Sequence, residues 1–268
     1  MAADILRGLR AAVGFLTTLP VRIADGDYDC FVSRQYLFVV VALIIGLIIG
    51  VSGTVFQWLL PAQFAGVLVV AGVFLVTGIN HIDGLADMGD GLVTSGSREK
   101  KITSMKDVHT GAGGVLFMSM DLLFLYALIS TFAGSSMPLL MPLLVAEVCA
   151  KTAQITVIAL GKSAHEGMGS FMIKGMKKSH WLAGMICAWV VVLLAITVAA
   201  LFWSDGQPLR VIVAGILVMQ SPVATALIII FITERNFGGV NGDVIGASNE
   251  IARIVALGVM GAVLWMHF

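Results

Sequence analysis

The feature that most constrains this chain is a long stretch without any Asp, Glu, Lys or Arg, which runs from the residue after Arg34 to the residue before Asp83. A helix crosses the hydrocarbon core of a bilayer with about 20 apolar residues, so this stretch is too long for one crossing. Gln57 and Pro61 lie near its middle, and such a pair is typical of a turn. The stretch therefore predicts a tight hairpin of two transmembrane helices.

The rest of the chain is also apolar, with 59% hydrophobic and 12% charged residues, whereas soluble domains average about 25% charged residues. Near the N-terminus, Ile5, Leu9 and Val13 recur at helical spacing and predict a short interfacial helix. We expect an all-α integral membrane protein with this N-terminal interfacial helix and about seven transmembrane helices, forming a single polytopic domain over residues 1–268. The predicted spans are residues 36–60, 63–79, 112–133, 137–160, 181–203, 211–233 and 244–268.

Basic residues collect on one side of the membrane if these seven spans alternate in direction. Arg34 precedes the first span, Lys106 follows the second and Arg235 follows the sixth. The positive-inside rule then places the N-terminus and the long loops at residues 80–111 and 161–180 in the cytoplasm, and the C-terminus outside. We therefore expect a multi-pass protein of the cell (cytoplasmic) membrane. A formal net charge of zero argues against nucleic acid as a partner.

Three aspartates, Asp83, Asp87 and Asp90, stand at positions i, i+4 and i+7 directly after the second span. If the segment is helical, they share one face. Carboxylates held close together repel each other, and a divalent cation such as Mg²⁺ or Mn²⁺, which prefers oxygen ligands, removes the repulsion. The alternative is a solvated acidic loop at a helix end. We favour a metal site because no lysine or arginine is close by in the sequence.

Two further cytoplasmic segments carry polar side chains. Lys106 and His109 suit a phosphate, and Asp107 suits the metal set, although an ordinary polar loop explains them equally well. After a glycine-rich turn, Asp243 and Glu250 share one helical face with Arg253. Helix N-termini favour anions, but Asp243 occupies the anion position, so a metal-bridged phosphate is one interpretation and an N-cap role for Asp243 is the other.

Ionisable residues also occur inside the predicted spans, where they are costly and usually face a partner or a cavity. Glu147 and Lys151 stand at positions i and i+4 in the fourth span, with Gln154 on the same side. They either pair with each other or line the site, which we favour. Asp121, in the third span, either pairs with Lys151 or lines the same cavity.

Taken together, these segments resemble the cobalamin synthase (adenosylcobinamide-GDP ribazoletransferase) family. Residues 81–91 resemble its HxDGLADxxDG signature, residues 105–115 its MKDxxxGxxGV segment and residues 242–250 its TGDxxGAxxE segment. Its FLTxLP start and its GLG segment are matched at residues 15–20 and 167–171. The five matches come in the family order and cover most of the chain.

The resemblance implies an enzyme that joins α-ribazole, or its 5′-phosphate, to adenosylcobinamide-GDP and releases GMP at the cytoplasmic membrane face. The carboxylates themselves suggest Mg²⁺ as the cofactor, and the expected metal ligands are Asp83, Asp87 and Asp90, which are also expected to be catalytic, and Asp243. A carboxylate outside this set, Glu250 or Asp107, would take the proton from the attacking hydroxyl. The residues expected to bind substrate are His81, Lys106, Glu147, Lys151, Arg253 and Asn241, which replaces the threonine of the TGD triplet.

Other functions remain open from the residues alone. A lipid-directed phosphotransferase of the CDP-alcohol class also uses aspartate clusters, but its DGxxAR motif is missing. An ion-coupled transporter would use Asp121, Glu147 and Lys151, yet no inverted repeat is visible. A structural membrane subunit leaves the acidic segments unexplained. Small residues such as Gly46 and Gly50 suit helix packing within one chain or between copies, so a homo-oligomer is compatible with the sequence.

Overall fold

The protein is described by a computed structural model over residues 2–204 and 206–265. Within these ranges the chain is helical, and the only β-type pairing is an isolated bridge between Ser163 and Val240. The helices, in chain order, are α1 (Ala2–Leu16), α2 (Asp27–Val32), α3 (Leu37–Leu59), α4 (Ala62–Thr77), α5 (Asn80–Val93), α6 (Arg98–Met105), α7 (Ala112–Ala133), α8 (Leu140–Leu160), α9 (Met168–Gly175), α10 (Lys178–Phe202), α11 (Pro208–Phe237) and α12 (Gly242–Trp265).

Six helices, α3, α7, α8, α10, α11 and α12, are each long and apolar enough to cross a membrane. They confirm six of the predicted spans to within a few residues at each end. The largest difference is α11, which has 30 residues and extends beyond the predicted 211–233 on both sides. Asp205 and the predicted outer C-terminus at residues 266–268 lie outside the described residues.

The remaining predicted span, residues 63–79, is the second along the chain and corresponds to α4. This helix has only 16 residues, and α5 follows it at an angle of 96°. Residues 80–111, predicted as a long segment between spans with its aspartates on one face if helical, contain the two helices α5 and α6. The physical reason is that Ile82, Leu85 and Met88 form a buried apolar stripe on α5. Because α5 lies across the N-terminal ends of α7 and α12, we treat it as outside the membrane-spanning segments.

Helix α8 occupies the centre of the bundle, where α3, α10, α11 and α12 surround it. Two glycines of α3 allow its close approach: a Cβ on Gly46 or Gly50 would lie 2.9 Å from the Cα of Leu144 or Leu140. These glycines therefore pack helices within one chain. Outer apolar side chains on α7, α10 and α11, such as Leu193, are exposed and suit contact with lipid.

The predicted N-terminal interfacial helix is α1, and the structure anchors it to the bundle. Val13 and Leu16 are buried against the protein, whereas Leu6 is exposed. The Nε atoms of Arg7 and Arg10 donate to Asp27 at 2.9 and 2.8 Å. The hydrogen bond from the Ala24 N–H has the largest effect on the pKa of Asp27, followed by the two arginines. Together they lower this pKa to about 2. Charge pairing and apolar packing thus fix α1 at the membrane face.

Candidate active site

The three aspartates after α4 lie on a helix, as their spacing requires if they are to share a face. Along α5 they become progressively less accessible: Asp83 is exposed, Asp87 is partly buried and Asp90 is buried. The helix thus presents two carboxylates at its accessible end, and the third points into the protein.

Helix α12 begins beside these aspartates because the two helices touch through glycines. A Cβ on Gly84 would meet the backbone oxygen of Asp243 at 2.7 Å, and a Cβ on Gly246 would meet the Cα of His81 at 3.3 Å. The approach brings the Asp243 carboxylate into the electrostatic field of Asp83 and Asp87. Two segments that are far apart in sequence therefore build one acidic face.

Asn241 caps α12, so the interpretation of Asp243 as the N-cap is wrong. The Asn241 Oδ1 accepts from the Val244 N–H at 3.0 Å, which is the geometry of an N-cap. Its Nδ2 donates to Asp243 Oδ2 at 2.8 Å. Asn241, predicted to bind substrate, is thus engaged in capping and in orienting Asp243, whose other oxygen has no hydrogen bond to the described residues.

Asp87 experiences the repulsion that motivates the metal hypothesis. Burial is the largest cause of a raised pKa, followed by the negative charges of Asp243, Asp83 and Asp90, and together they raise the pKa of Asp87 to about 7. A carboxyl in this state gains from a nearby cation. Lys106 and His165 lie within electrostatic range of Asp243, so the face is not wholly without positive charge.

Asp90 is held by the N-terminus of α7. Its Oδ2 accepts from the Gly111 N–H at 2.7 Å and its Oδ1 from the Gly114 N–H at 2.9 Å. A Cβ on either glycine would come within 2.8 Å of the carboxylate, so glycine is required for this contact. The glycines of the MKDxxxGxxGV segment therefore supply the backbone N–H groups that bind Asp90, a role that the sequence analysis missed.

Asp107 lies in the exposed loop between α6 and α7. Its Oδ1 accepts from the backbone N–H of His109 at 2.9 Å and contacts the His109 ring at 3.0 Å. These bonds lower the pKa of Asp107, the backbone one most strongly. Lys106 is also exposed, and the structure leaves both side chains accessible to a ligand.

The ionisable residues inside the bundle form a buried network. Arg253 Nε donates to Glu147 Oε1 at 2.5 Å, and Arg253 Nη1 pairs with Glu250 Oε2. Lys151 Nζ donates to Asn249 Oδ1 at 2.5 Å, and Asn249 Nδ2 donates to the other oxygen of Glu250 at 2.8 Å. Among the described residues, Glu147 and Lys151 form no direct ion pair with each other; each bonds to α12 instead, although the charge of Glu147 still acts on Lys151.

This network bears on the predicted substrate-binding roles of the buried ionisable residues. Glu147, Lys151, Glu250 and Arg253 are all almost fully buried and are hydrogen-bonded within the network that they form with Asn249, so substrate contact by them stays a prediction that the geometry does not favour. Asp121 is buried with no hydrogen bond to the residues that the structure describes, and the charges that act on it are those of Glu250 and Arg253, not that of Lys151. The contribution of Asn249 was missed, although a polar residue in a predicted span is a signal of such pairing.

The described carboxylates are not arranged around a common metal position in this structure. Among residues 2–204 and 206–265, no three His, Cys, Asp or Glu side chains are arranged to hold a metal ion as they stand. The donor chemistry nevertheless fits a hard cation, because the accessible side chains are carboxylates and one of them is destabilised by its neighbours.

Comparison with known proteins assigns the family. The model of a family described as cobalamin-5-phosphate synthase matches residues 8–261. The chain belongs to the cobalamin-5-phosphate synthase family. The match covers both helices that form the acidic face, and it confirms the resemblance seen in the sequence.

Curated relatives of this family are similar over their whole length. The chain is 68% identical over 268 residues to adenosylcobinamide-GDP ribazoletransferase of Methanocella arvoryzae, covering 100% of both proteins. It is 36% identical to the protein of the same name from Methanococcoides burtonii, covering 96% of this chain and 93% of the relative. A third relative, from Methanosarcina barkeri, is 34% identical, covering 97% and 93%. No solved structure matches the chain.

Proposed function

We propose that the chain is an adenosylcobinamide-GDP ribazoletransferase, which joins α-ribazole or its 5′-phosphate to adenosylcobinamide-GDP and releases GMP. The observation that carries this proposal is the meeting of Asp83 and Asp87 with Asp243, because the two segments that meet are the motifs shared with the cobalamin-5-phosphate synthase family. The names of the relatives support the same reaction. Family membership gives no support to the lipid-directed, transporter or structural alternatives.

The orientation of the site follows from the positive charges around it. Arg98 Nη2 donates to the backbone oxygen of Glu234 at 3.4 Å, and Lys101 Nζ donates to Asn236 Oδ1 at 2.7 Å. These contacts hold the basic helix α6 at the end of the bundle where α11 ends and α12 begins. The positive-inside rule therefore supports an active site that faces the cytoplasm from the cell membrane.

Mg²⁺ is the cofactor we propose, with Asp83, Asp87 and Asp243 as the residues that would hold it. When bound, it would neutralise the diphosphate and stabilise the charge that develops on the GMP leaving group. Asp83 is exposed and free to change rotamer, and Asn241 keeps Asp243 directed toward the face. We assign Asp90 a positioning role because both its oxygens are held by α7.

The reaction forms one P–O bond to a ribazole hydroxyl, breaks the P–O bond to GMP and releases the hydroxyl proton. Of the two carboxylates suggested as the base, Glu250 has both oxygens engaged inside the bundle. Asp107 is exposed, and its Oδ2 has no bond to the described residues. We therefore assign proton acceptance to Asp107 and contact with a substrate phosphate to Lys106.

The test is GMP release by the purified protein in detergent, given adenosylcobinamide-GDP, α-ribazole and Mg²⁺. We expect release to need both substrates, to stop with EDTA and to fall by about 100-fold or more in Asp83→Asn and Asp87→Asn, since each removes charge stabilisation from the transition state. Asp29→Asn, the same change at an exposed aspartate of α2, is the matched control and should keep activity.

The possible failures separate the parts of this proposal. No release from folded wild-type protein would reject the transferase. Release that survives EDTA would reject the metal, and full activity in both aspartate variants would reject the acidic face as the site.

A further inference from the structure

A small cavity lies behind the acidic face, between the starts of α5 and α12 and beneath α9. Its volume is about 90 Å³. Phe15 of α1, Phe38 of α3 and Met172 of α9 form apolar walls, and Gly242 and Gly246 of α12 form another side. Since Gly242 directly precedes Asp243, the cavity and the acidic face share an edge.

Two buried side chains that line this cavity have an atom without a partner. His81 is 8% exposed and its Nδ1 has no hydrogen bond to any described residue, and Gln154 is 1% exposed and its Oε1 has none to this part of the chain either. Buried polar atoms are paired in nearly all folded proteins, so an unpaired atom in a native structure calls for an explanation. Two such atoms on one cavity indicate a polar ligand group between them.

The Gln154 side chain defines what that group must offer. Its Nε2 donates to the backbone oxygen of Ile245 at 3.2 Å, which fixes the orientation of the amide. The free Oε1 can only accept, so the ligand must present an N–H or an O–H. The imidazole nitrogen of His81 accepts or donates according to its tautomer and therefore suits either kind of partner.

The walls define the charge and shape of the ligand group. None of the lining residues is Asp, Glu, Lys or Arg, so the cavity does not suit a phosphate or a carboxylate. Aromatic and methionine walls suit a flat or puckered ring. The cavity is smaller than the cavity of about 150 Å³ that holds benzene, so it has room for one edge of a base or of a ribose and not for a whole ring.

We propose that this cavity binds one neutral edge of the sugar or of the base of a nucleoside substrate, with Gln154 accepting a hydrogen bond from that edge and His81 making a second one. This inference rests on the proposed function and deepens it. A nucleoside seated here would have its phosphate or reacting hydroxyl beside Asp243, at the shared edge. The guanosine of adenosylcobinamide-GDP and α-ribazole both carry the required chemistry.

The experiment measures the KM for each substrate while the other is saturating, in wild type and in Gln154→Met, which keeps the volume and removes the acceptor. We expect about a tenfold rise in KM for one substrate, the effect of one lost hydrogen bond, with the KM of the other unchanged. A rise for α-ribazole identifies the cavity as its site, and a rise for adenosylcobinamide-GDP identifies it as the guanosine site.

Thr156→Val, a buried polar change on the same helix that faces α10 through Trp181, is the matched control and should leave both constants unchanged. His81→Phe, which keeps a ring and removes both nitrogens, should raise the same KM as Gln154→Met. Calorimetric binding of α-ribazole and of GMP, each alone, gives a readout that does not need turnover, and the affinity for only one of them should fall.

Unchanged KM values for both substrates in Gln154→Met would overturn the inference while leaving the transferase intact. Equal rises for both substrates together with a lower unfolding temperature would also overturn it, because they indicate a structural role. Absence of GMP release from wild type would reject the proposed function itself, and the two failures are therefore distinguishable.

Discussion

Acidic side chains occupy two regions of this protein, and the regions compensate their charge differently. At the membrane face, Asp83 and Asp87 meet Asp243 with no ion pair among them, and the repulsion raises the pKa of Asp87. Inside the bundle, Glu147 and Glu250 share the guanidinium of Arg253. Both sets lie on helices that pack against each other, so helix packing alone does not explain the difference.

The comparison separates two uses of charge. In the bundle interior an unpaired charge is expensive, so the protein supplies its own counter-ions and the network holds α8 to α12. At the face, the carboxylates have no ion-pair partner, and such carboxylates suit a cation. Charge compensation thus distinguishes the residues that hold the fold from those for which we propose a binding role.

The largest expected effect comes from removing the shared cation. Arg253→Met leaves Glu147 and Glu250 buried without a counter-ion, and we expect a loss of about 3–5 kcal/mol in the free energy of unfolding. Denaturant unfolding in detergent measures it. In the triple variant with Glu147→Gln and Glu250→Gln, much of the loss should be recovered.

The opposite result would break the comparison. Wild-type stability in Arg253→Met together with lost GMP release would make Arg253 a substrate-binding residue, as the sequence suggested, and would show that the interior network serves the reaction directly.

A smaller effect tests Asp90, the one aspartate of α5 that the protein itself compensates. Gly114→Ala would place a Cβ 2.8 Å from Asp90 Oδ2, and we expect a loss of about 1–3 kcal/mol from the forced shift. Gly258→Ala in α12 has no heavy atom within 4 Å of its new Cβ, so it should gain about 0.5–1 kcal/mol. Thermal unfolding of both variants makes the comparison, and equal effects would contradict the role of Asp90 as the cap of α7.

The smallest effect concerns Asp87 and pH. Its pKa is about 7 in the folded protein and 3.8 as the reference value, so the folded state holds more protons between these values. The contribution of Asp87 to the free energy of unfolding is therefore greatest below about pH 4, and it is lost as the pH rises to about 7. In EDTA we expect the unfolding temperature to fall between pH 5 and pH 7.5.

Asp87→Asn should flatten this decline, because the amide does not titrate, and Asp29→Asn should not. Added Mg²⁺ should raise the unfolding temperature of wild type at pH 7.5 more than that of Asp87→Asn. A pH dependence that is the same in wild type and Asp87→Asn would show that the repulsion on this face lies elsewhere.

Several features of the fold were predictable because they depend on local composition. The apolar runs located six spans, and the i, i+4, i+7 spacing placed the three aspartates on one helix face. The extent of helix within residues 80–111 was not predicted, because the charged and glycine residues obscure the apolar stripe of Ile82, Leu85 and Met88. A helix that lies across a bundle has no long apolar run, so hydropathy alone does not find it.

Partners across helices were not predictable in the same way. Glu147 and Lys151 are adjacent on α8, yet they pair with Arg253 and Asn249 of α12. The cap of α12 is Asn241, although Asp243 was the other candidate. Spacing gives the face on which a side chain lies, but the element packed against that face decides its partner.

The sequence by itself determined that this chain is a helical membrane protein, that its acidic segments lie at or beside the ends of the long spans and that they match one family in order. Those properties follow from transfer free energies and helical periodicity, which act along the chain. Only the tertiary structure decided that Asp83, Asp87 and Asp243 share one face while Asp90 caps α7, and that His81 and Gln154 line one cavity. The reason is that these relations depend on the close approach of α5 and α12. Gly84 and Gly246 allow this approach because neither has a side chain between the two backbones.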